Sequence, residues 1–332
     1  MITYNMEIKN TAPILTELLT AIHKFNIEEH VYVSRRISNS QSALPASLAS
    51  LGAFGIKELA LPDILNTLGI RSLTLNAKYD LEPLSRIEVT APGNQLRELL
   101  KDSNVIEVLR LLFSNCHTIA FDDWATLSGA SVLWHELLIN VIKPIHRIDL
   151  QYIFYLGDPM EKLFFEVDEA LDLIGAFSSY GKATLALDEN EAIGLWRVLN
   201  GVAPDMLKDE RSFTDLKKKY FSIFRTMNIE NLLVYSANDA ILYAEDQQFV
   251  LSRKKVDHHL EIASDARQNF IGGYSMGLLM RLEKAHCIAL GLIVFGSIGE
   301  LKANPEQKDI YGYIQNWLND LQKMDEAQLY ED

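Results

Sequence analysis

Three observations predict a three-layer α/β/α fold with a mainly parallel central sheet. Short β-branched or aromatic runs alternate with segments of helical periodicity along most of the 332 residues, the pattern that βαβ units leave in a sequence. The chain is 48% hydrophobic, enough to fill the two cores that flank such a sheet. No internal repeat or low-complexity segment interrupts the alternation, so residues 1–324 read as one domain and 325–332 as an acidic, frayed tail.

The elements follow in order. Thr11 to Phe25 places Ile14, Leu15, Leu18, Leu19 and Ile22 on one helical face, with Thr11 as its cap. Val31 to Val33 is a short strand, and Ala43 to Phe54 a small-residue helix stopped by Gly55. Cys116 to Phe121 reads as a strand, Leu127 to Ile142 as a helix, and Tyr152 to Leu156 as a strand. Val167 to Tyr180 is a helix, Ala183 to Leu187 a strand, and Glu191 to Leu199 a helix. The helix Arg211 to Met227 leads into the strand Leu232 to Tyr235. Ala240 to Tyr243 and Phe249 to Leu251 form an antiparallel hairpin, and the helices Ala266 to Leu282, Lys284 to Phe295 and Ile310 to Met324 complete the chain. One segment departs from the alternation. Ser72 to Leu75 and Arg86 to Val89 carry polar residues at alternate positions across Asp80-Leu81-Glu82-Pro83, as a hairpin over about 70–90 would.

Charge and cysteine usage exclude several functions. A net charge of −14 argues against nucleic acid or an anionic membrane surface as partner, because each requires a basic face. The apolar run Cys287 to Gly296 is about half of what spans a bilayer. Cys116 and Cys287 have no ligand spacing, and no basic region followed by an apolar run opens the chain. The expectation is a cytoplasmic protein in a reducing compartment.

Asp265-Ala266-Arg267-Gln268-Asn269-Phe270-Ile271-Gly272-Gly273 carries the most information about function. It resembles the Gly-Ala-Gly-Asp…Phe-x-x-Gly segment of the ribokinase (PfkB carbohydrate kinase) family. Phe270 and Gly273 fall in register. Asp265 and Arg267 stand at the two glycines, and Gln268 at the catalytic Asp. The resemblance extends from about Ser38 to Gly296. Ser38-Asn39-Ser40 is similar to the Gly-Gly-Asn segment, with Asn39 matching and serines in place of the glycines. Asp188-Glu189-Asn190-Glu191 is similar to Asn-x-x-Glu beside the nucleotide-bound magnesium. Ser236-Ala237-Asn238-Asp239 stands at the turn that passes the ATP phosphates. Ala285 to Gly296 falls where the family packs a small-residue helix against adenine. Asp122-Asp123-Trp124 falls where relatives carry Asn-Trp against the substrate.

The resemblance implies a ribokinase-like fold, a small β-lid at about 70–90, and ATP and magnesium as cofactors if the protein is active. It also implies a sugar-like or nucleotide ligand and a homodimer through the lid. The family places the base at Gln268, and an amide cannot take a proton from an attacking hydroxyl. Asp265 is a candidate substitute base, or a helix cap whose carboxylate occupies the amide groups that would otherwise hold a phosphate. The backbone of Ala266 and Arg267 stands where the family builds its anion hole, and the Arg267 side chain either reaches phosphate or lies in solvent. Asp188 and Glu191 suit a metal-linked role and equally a capping box. The expected function is a PfkB-type kinase-like protein with impaired or lost phosphotransfer that acts by binding a ligand or partner. The alternative is an active ATP-dependent kinase of a sugar or related alcohol with Asp265 or Asp239 as base. His258-His259 and Cys116-His117 lack the further partners that a metal or nucleophile site needs.

Overall fold

The computed structural model describes residues 5–8, 11–24, 29–33, 71–75 and most of 100–329, leaving out chiefly 203–212, 254–265 and 302–306. Its strands are β1 (Asn5–Ile8), β2 (Glu29–Val33), β3 (Arg71–Leu75), β4 (Thr118–Phe121), β5 (Gln151–Phe154), β6 (Lys182–Asp188), β7 (Asn231–Tyr235), β8 (Asp239–Ala244) and β9 (Gln247–Ser252). They form one sheet in the order β1-β9-β8-β7-β6-β5-β4-β2-β3. β8 pairs antiparallel with both of its neighbours, and every other pairing is parallel. All strands but β8 therefore end at the same edge of the sheet.

Side chains alternate across a strand, so each strand feeds two cores. Phe121, Phe154, Leu185, Leu187, Leu232 and Val234 enter one of them. It is covered by α2 (Ala130–Leu137, continuing through a π-helical turn Leu138–Ile142 to Lys143–Ile145), α3 (Phe164–Phe177), α4 (Glu189–Asn200) and α5 (Phe213–Thr226). Ile153, Ala186, Leu233, Tyr235 and Leu242 enter the other. That face carries α1 (Thr11–Lys24), α6 (Ala266–Leu279), α7 (Lys284–Leu301) and α8 (Gln307–Leu329). The predicted three layers are thus present. The widened turn in α2 has a local cause. Pro144 has no N–H for the carbonyl of Asn140, and Arg110 Nε donates to that oxygen at 2.9 Å instead.

Three features depart from these expectations or add to them. Ser72 to Leu75 was expected in a hairpin, read as a lid by resemblance; among the described residues β3 is the outermost strand of the main sheet and pairs parallel with β2. Period-two polarity identifies a half-solvated strand without naming its neighbour, and an edge strand satisfies it as well as a lid does. Arg86 to Val89 and the helix Ala43 to Phe54 lie outside the described residues. The acidic tail expected from 325 is helical to Leu329. Asn5–Ile8, not anticipated as a strand, pairs parallel with β9 at the other edge.

Candidate functional site

The carboxyl edge of β4 to β7 gathers most of the candidate residues. At β6, Asp188 caps α4. Its Oδ1 accepts from Glu191 N at 2.8 Å, while Glu191 Oε2 accepts from Asp188 N at 2.9 Å. This reciprocal pair is the capping box that the Asp-x-x-Glu spacing predicts. Glu191 is buried, 4% exposed. Each carboxylate binds a backbone amide, so a magnesium ion here would have to compete with the helix cap. Among the described residues no group of three or more His, Cys, Asp or Glu converges as a metal site.

At β7 the chain turns tightly into β8. Ser236 N donates to the carbonyl of Asp239 at 2.7 Å, and Asp239 N donates to Ser236 Oγ at 3.1 Å. Ser252 Oγ, at the end of β9, donates to Asp239 Oδ1. Ser236 and Asp239 therefore serve the turn and the β8–β9 pairing while standing half-exposed at the edge. Asn238 lies outside the described residues, as do Asn39, Asp123 and Asp265.

At β4, Trp124 N donates to Tyr155 O at 3.3 Å and Ala125 N to Leu156 O at 2.6 Å, so the loop runs on alongside β5. The Trp124 ring is 2% exposed, its indole N–H donates to Ser131 Oγ at 3.0 Å, and Lys162 Nζ lies 5.6 Å from the ring centroid. Trp124 is packed beneath the edge as core. Strand order adds a rationale for this region. β3 lies on one side of β2 and β4 on the other, and such a reversal opens a crevice at the carboxyl ends of β2 and β4.

The start of α6 is fixed by two contacts. The Phe270 ring stacks on Tyr235, the last residue of β7, at 4.3 Å with 5° between planes. Four residues on, the Tyr274 hydroxyl hydrogen-bonds Thr184, near the beginning of β6, and burial pushes that phenol well above its ordinary range. α6 therefore runs antiparallel to the strands, with its first turn at the carboxyl edge. Ala266, Arg267 and Gln268 are in that first turn. A helix N-terminus presents unpaired N–H groups and the positive end of the macrodipole, the elements of an anion site. Glycines allow α7 to lie against α6 backbone to backbone. A Cβ at Gly273 would stand 2.7 Å from the Leu290 carbonyl carbon, and one at Gly277 would stand 2.7 Å from Cys287 Cα.

One charged residue at this edge had no signal in the sequence. Arg253 follows β9, is 5% exposed, and holds its guanidinium 3.9 Å from the ring centroid of Tyr313 and 5.6 Å from that of Trp317. Both rings come from α8, distant in sequence, so no local pattern announces the stack.

No protein-family model matches this sequence, and no curated protein matches it significantly. The likeness to solved structures is one of fold, carried by the first of the following. Pyridoxal kinase from Entamoeba histolytica superposes with a TM-score of 0.51 at 15% identity, covering 88% of this chain and 97% of that one. A carbohydrate kinase from Agrobacterium tumefaciens gives 0.49 at 10% identity, over 87% and 97% of the two chains. A nucleoside kinase from Burkholderia thailandensis, solved with inosine, gives 0.43 at 12%, over 93% and 88%. The chain has the ribokinase-like fold. No helix among the described residues is long and apolar enough to cross a membrane.

Proposed function

We propose that this chain is a kinase-like protein that binds a small sugar-like or nucleotide ligand at the carboxyl edge, with phosphotransfer impaired or lost. One observation carries the reading. The first turn of α6 is held at that edge by the Phe270–Tyr235 stack, and the residue there that would take the proton is Gln268. A positioned carboxylate base contributes roughly 10²–10⁴ in rate, and an amide contributes none of it. The reading places the protein in the cytoplasm, where Cys287 stays a thiol.

A second reading has its own support. Asp239 brings a carboxylate to the same edge, and with Asp265 it offers a base to an active kinase using ATP and magnesium. Calorimetric titration with ATP–magnesium, followed by a coupled ADP-release assay over a panel of sugars and related alcohols, separates the two. The impaired-enzyme reading expects ligand binding without turnover above background. Turnover that disappears in Asp265→Ala or Asp239→Ala and survives Gln268→Ala sinks it. Combining Gln268→Asp with Asp265→Gly and Arg267→Gly restores the residue types of the anion hole and base, so nucleotide affinity should rise. An unchanged affinity would mean that the register across this turn is wrong.

A further inference from the structure

The segment entering α3 keeps an unusual set of side chains in water. Met160, Leu163, Phe164 and Phe165 are 37%, 60%, 55% and 65% exposed, four apolar residues within six positions. The core-facing row of α3 is already filled by Val167, Ala170, Leu171, Ile174 and Phe177, so Leu163, Phe164 and Phe165 stand outside the interior while Met160 lies over Gly194 of α4. Aromatic side chains covered on association bury about 150–250 Å² each, and contiguous exposed apolar surface of this kind marks interaction sites.

The charge around the ridge selects the occupant. From Phe165 the outward row of α3 continues through exposed Asp168, Glu169 and Asp172, three and four residues apart on one face. Between Asp158 and Tyr180 the sequence holds six acids and one lysine, and that lysine, Lys162, is directed over the Trp124 ring. A second copy on this surface would bring two acidic rows together in a chain that already carries −14. A cationic amphipathic segment would instead place its apolar face on the phenylalanines and its charges along the acidic row.

We propose that the Met160–Phe165 ridge and the acidic face of α3 form a docking surface for a basic amphipathic helix of a partner protein. The inference rests on surface chemistry alone and does not depend on the reading of the carboxyl edge. The probe is a synthetic Leu/Lys peptide of about 14 residues with leucines at helical spacing, roughly four turns. A scrambled isomer of the same composition and charge is the control, and both are followed by fluorescence anisotropy on the full chain. The patterned peptide is expected to bind at least about tenfold tighter than the scrambled one. Phe164→Ser with Phe165→Ser should remove that difference. Asp168→Asn with Glu169→Gln and Asp172→Asn should weaken binding and flatten its salt dependence. All five positions are exposed or lie on the outer face, so the fold is retained. Equal binding of the two peptides, or binding untouched by either set of substitutions, overturns the proposal. So does sedimentation showing a dimer that Phe164→Ser with Phe165→Ser abolishes, since the ridge would then belong to a second copy.

Discussion

Replacing Gly273 by alanine tests how the first turn of α6 is held in place. The added Cβ would stand 2.7 Å from the Leu290 carbonyl carbon and 2.9 Å from Gly291 Cα, and would also meet the Leu290 oxygen. Ordinary contact begins at 3.4 Å, so α7 must retreat by at least about 0.7 Å. The obstructing atoms are backbone of an 18-residue helix and cannot rotate away. Overpacking of this kind costs about 1–3 kcal/mol, and contact with two rigid groups puts it near the upper end. Against it stands the gain of about 1 kcal/mol for alanine over glycine inside a helix. The expected net is a loss of about 2 kcal/mol. Gly312 isolates the opposing term, because it lies in α8 with nothing within 4 Å of an added Cβ. Gly312→Ala should therefore stabilise by roughly 0.5–1 kcal/mol. Urea unfolding at constant slope reads both as shifts of the midpoint in opposite directions. If Gly273→Ala is as stable as the parent, the backbone contact does not set the height of α6 and the reasoning fails.

Three further outcomes follow from other contacts. Asp188→Ala should lose about 0.5–2 kcal/mol of stability while Asp188→Asn keeps most of it, because asparagine caps a helix nearly as well; equal losses in thermal unfolding would point to a role for the charge beyond the cap. Cys287 is fully buried and burial pushes its thiol up to about 12, so native-state alkylation followed by peptide mapping should run far slower at this residue than in the unfolded chain. Comparable rates would show that the α6–α7 contact opens readily. Burial also raises the carboxyl of Glu230, against the opposing pull of Lys182 and Lys284. A raised folded value means that the native state holds the proton to higher pH. The contribution of Glu230 is therefore most favourable below 4.5 and is lost as pH rises through the raised value. Glu230→Gln should melt higher than the parent near neutral pH and no higher under acid. A variant that melts lower near neutrality would show the lysines outweighing burial.

What could be read from the sequence divides along local and non-local lines. Asp188 and Glu191 disclose their capping box because every atom of it lies within one helical turn. The strand–helix alternation likewise located β4 to β9 and their intervening helices, since periodicity is a property of each segment alone. β1 escaped because Asn5-Met6-Glu7-Ile8 holds a single β-branched residue and no aromatic, unlike the equally short β4 and β5. β3 was recognised as a strand, but its pairing with β2 could not be read, because pairing is decided by distant chain. The stack of Arg253 on Tyr313 and Trp317, and that of Phe270 on Tyr235, likewise join residues from separate elements. Phe270 and Gly273 were singled out by resemblance, but what they touch could not be read from the segment itself.

On the proposed reading, location and chemistry at the carboxyl edge are set by different residues. The start of α6 is located by an aromatic stack, a buried tyrosine and glycines that admit another helix, all of which belong to the apolar core. Substituting any of them costs stability and is felt throughout the fold. The resemblance puts Asp265, Arg267 and Gln268 where the family carries glycine and aspartate, and on the proposed reading that exchange leaves the helix where it is. Such a separation allows the fold to be shared with pyridoxal kinase from Entamoeba histolytica at 15% identity. It also means that exchanging the three polar residues and exchanging Gly273 must have different signatures. The first should alter ligand affinity at unchanged stability, and the second should alter both together. Loss of stability from the polar exchange alone would show that these side chains hold the helix in place, and the division argued here would not stand.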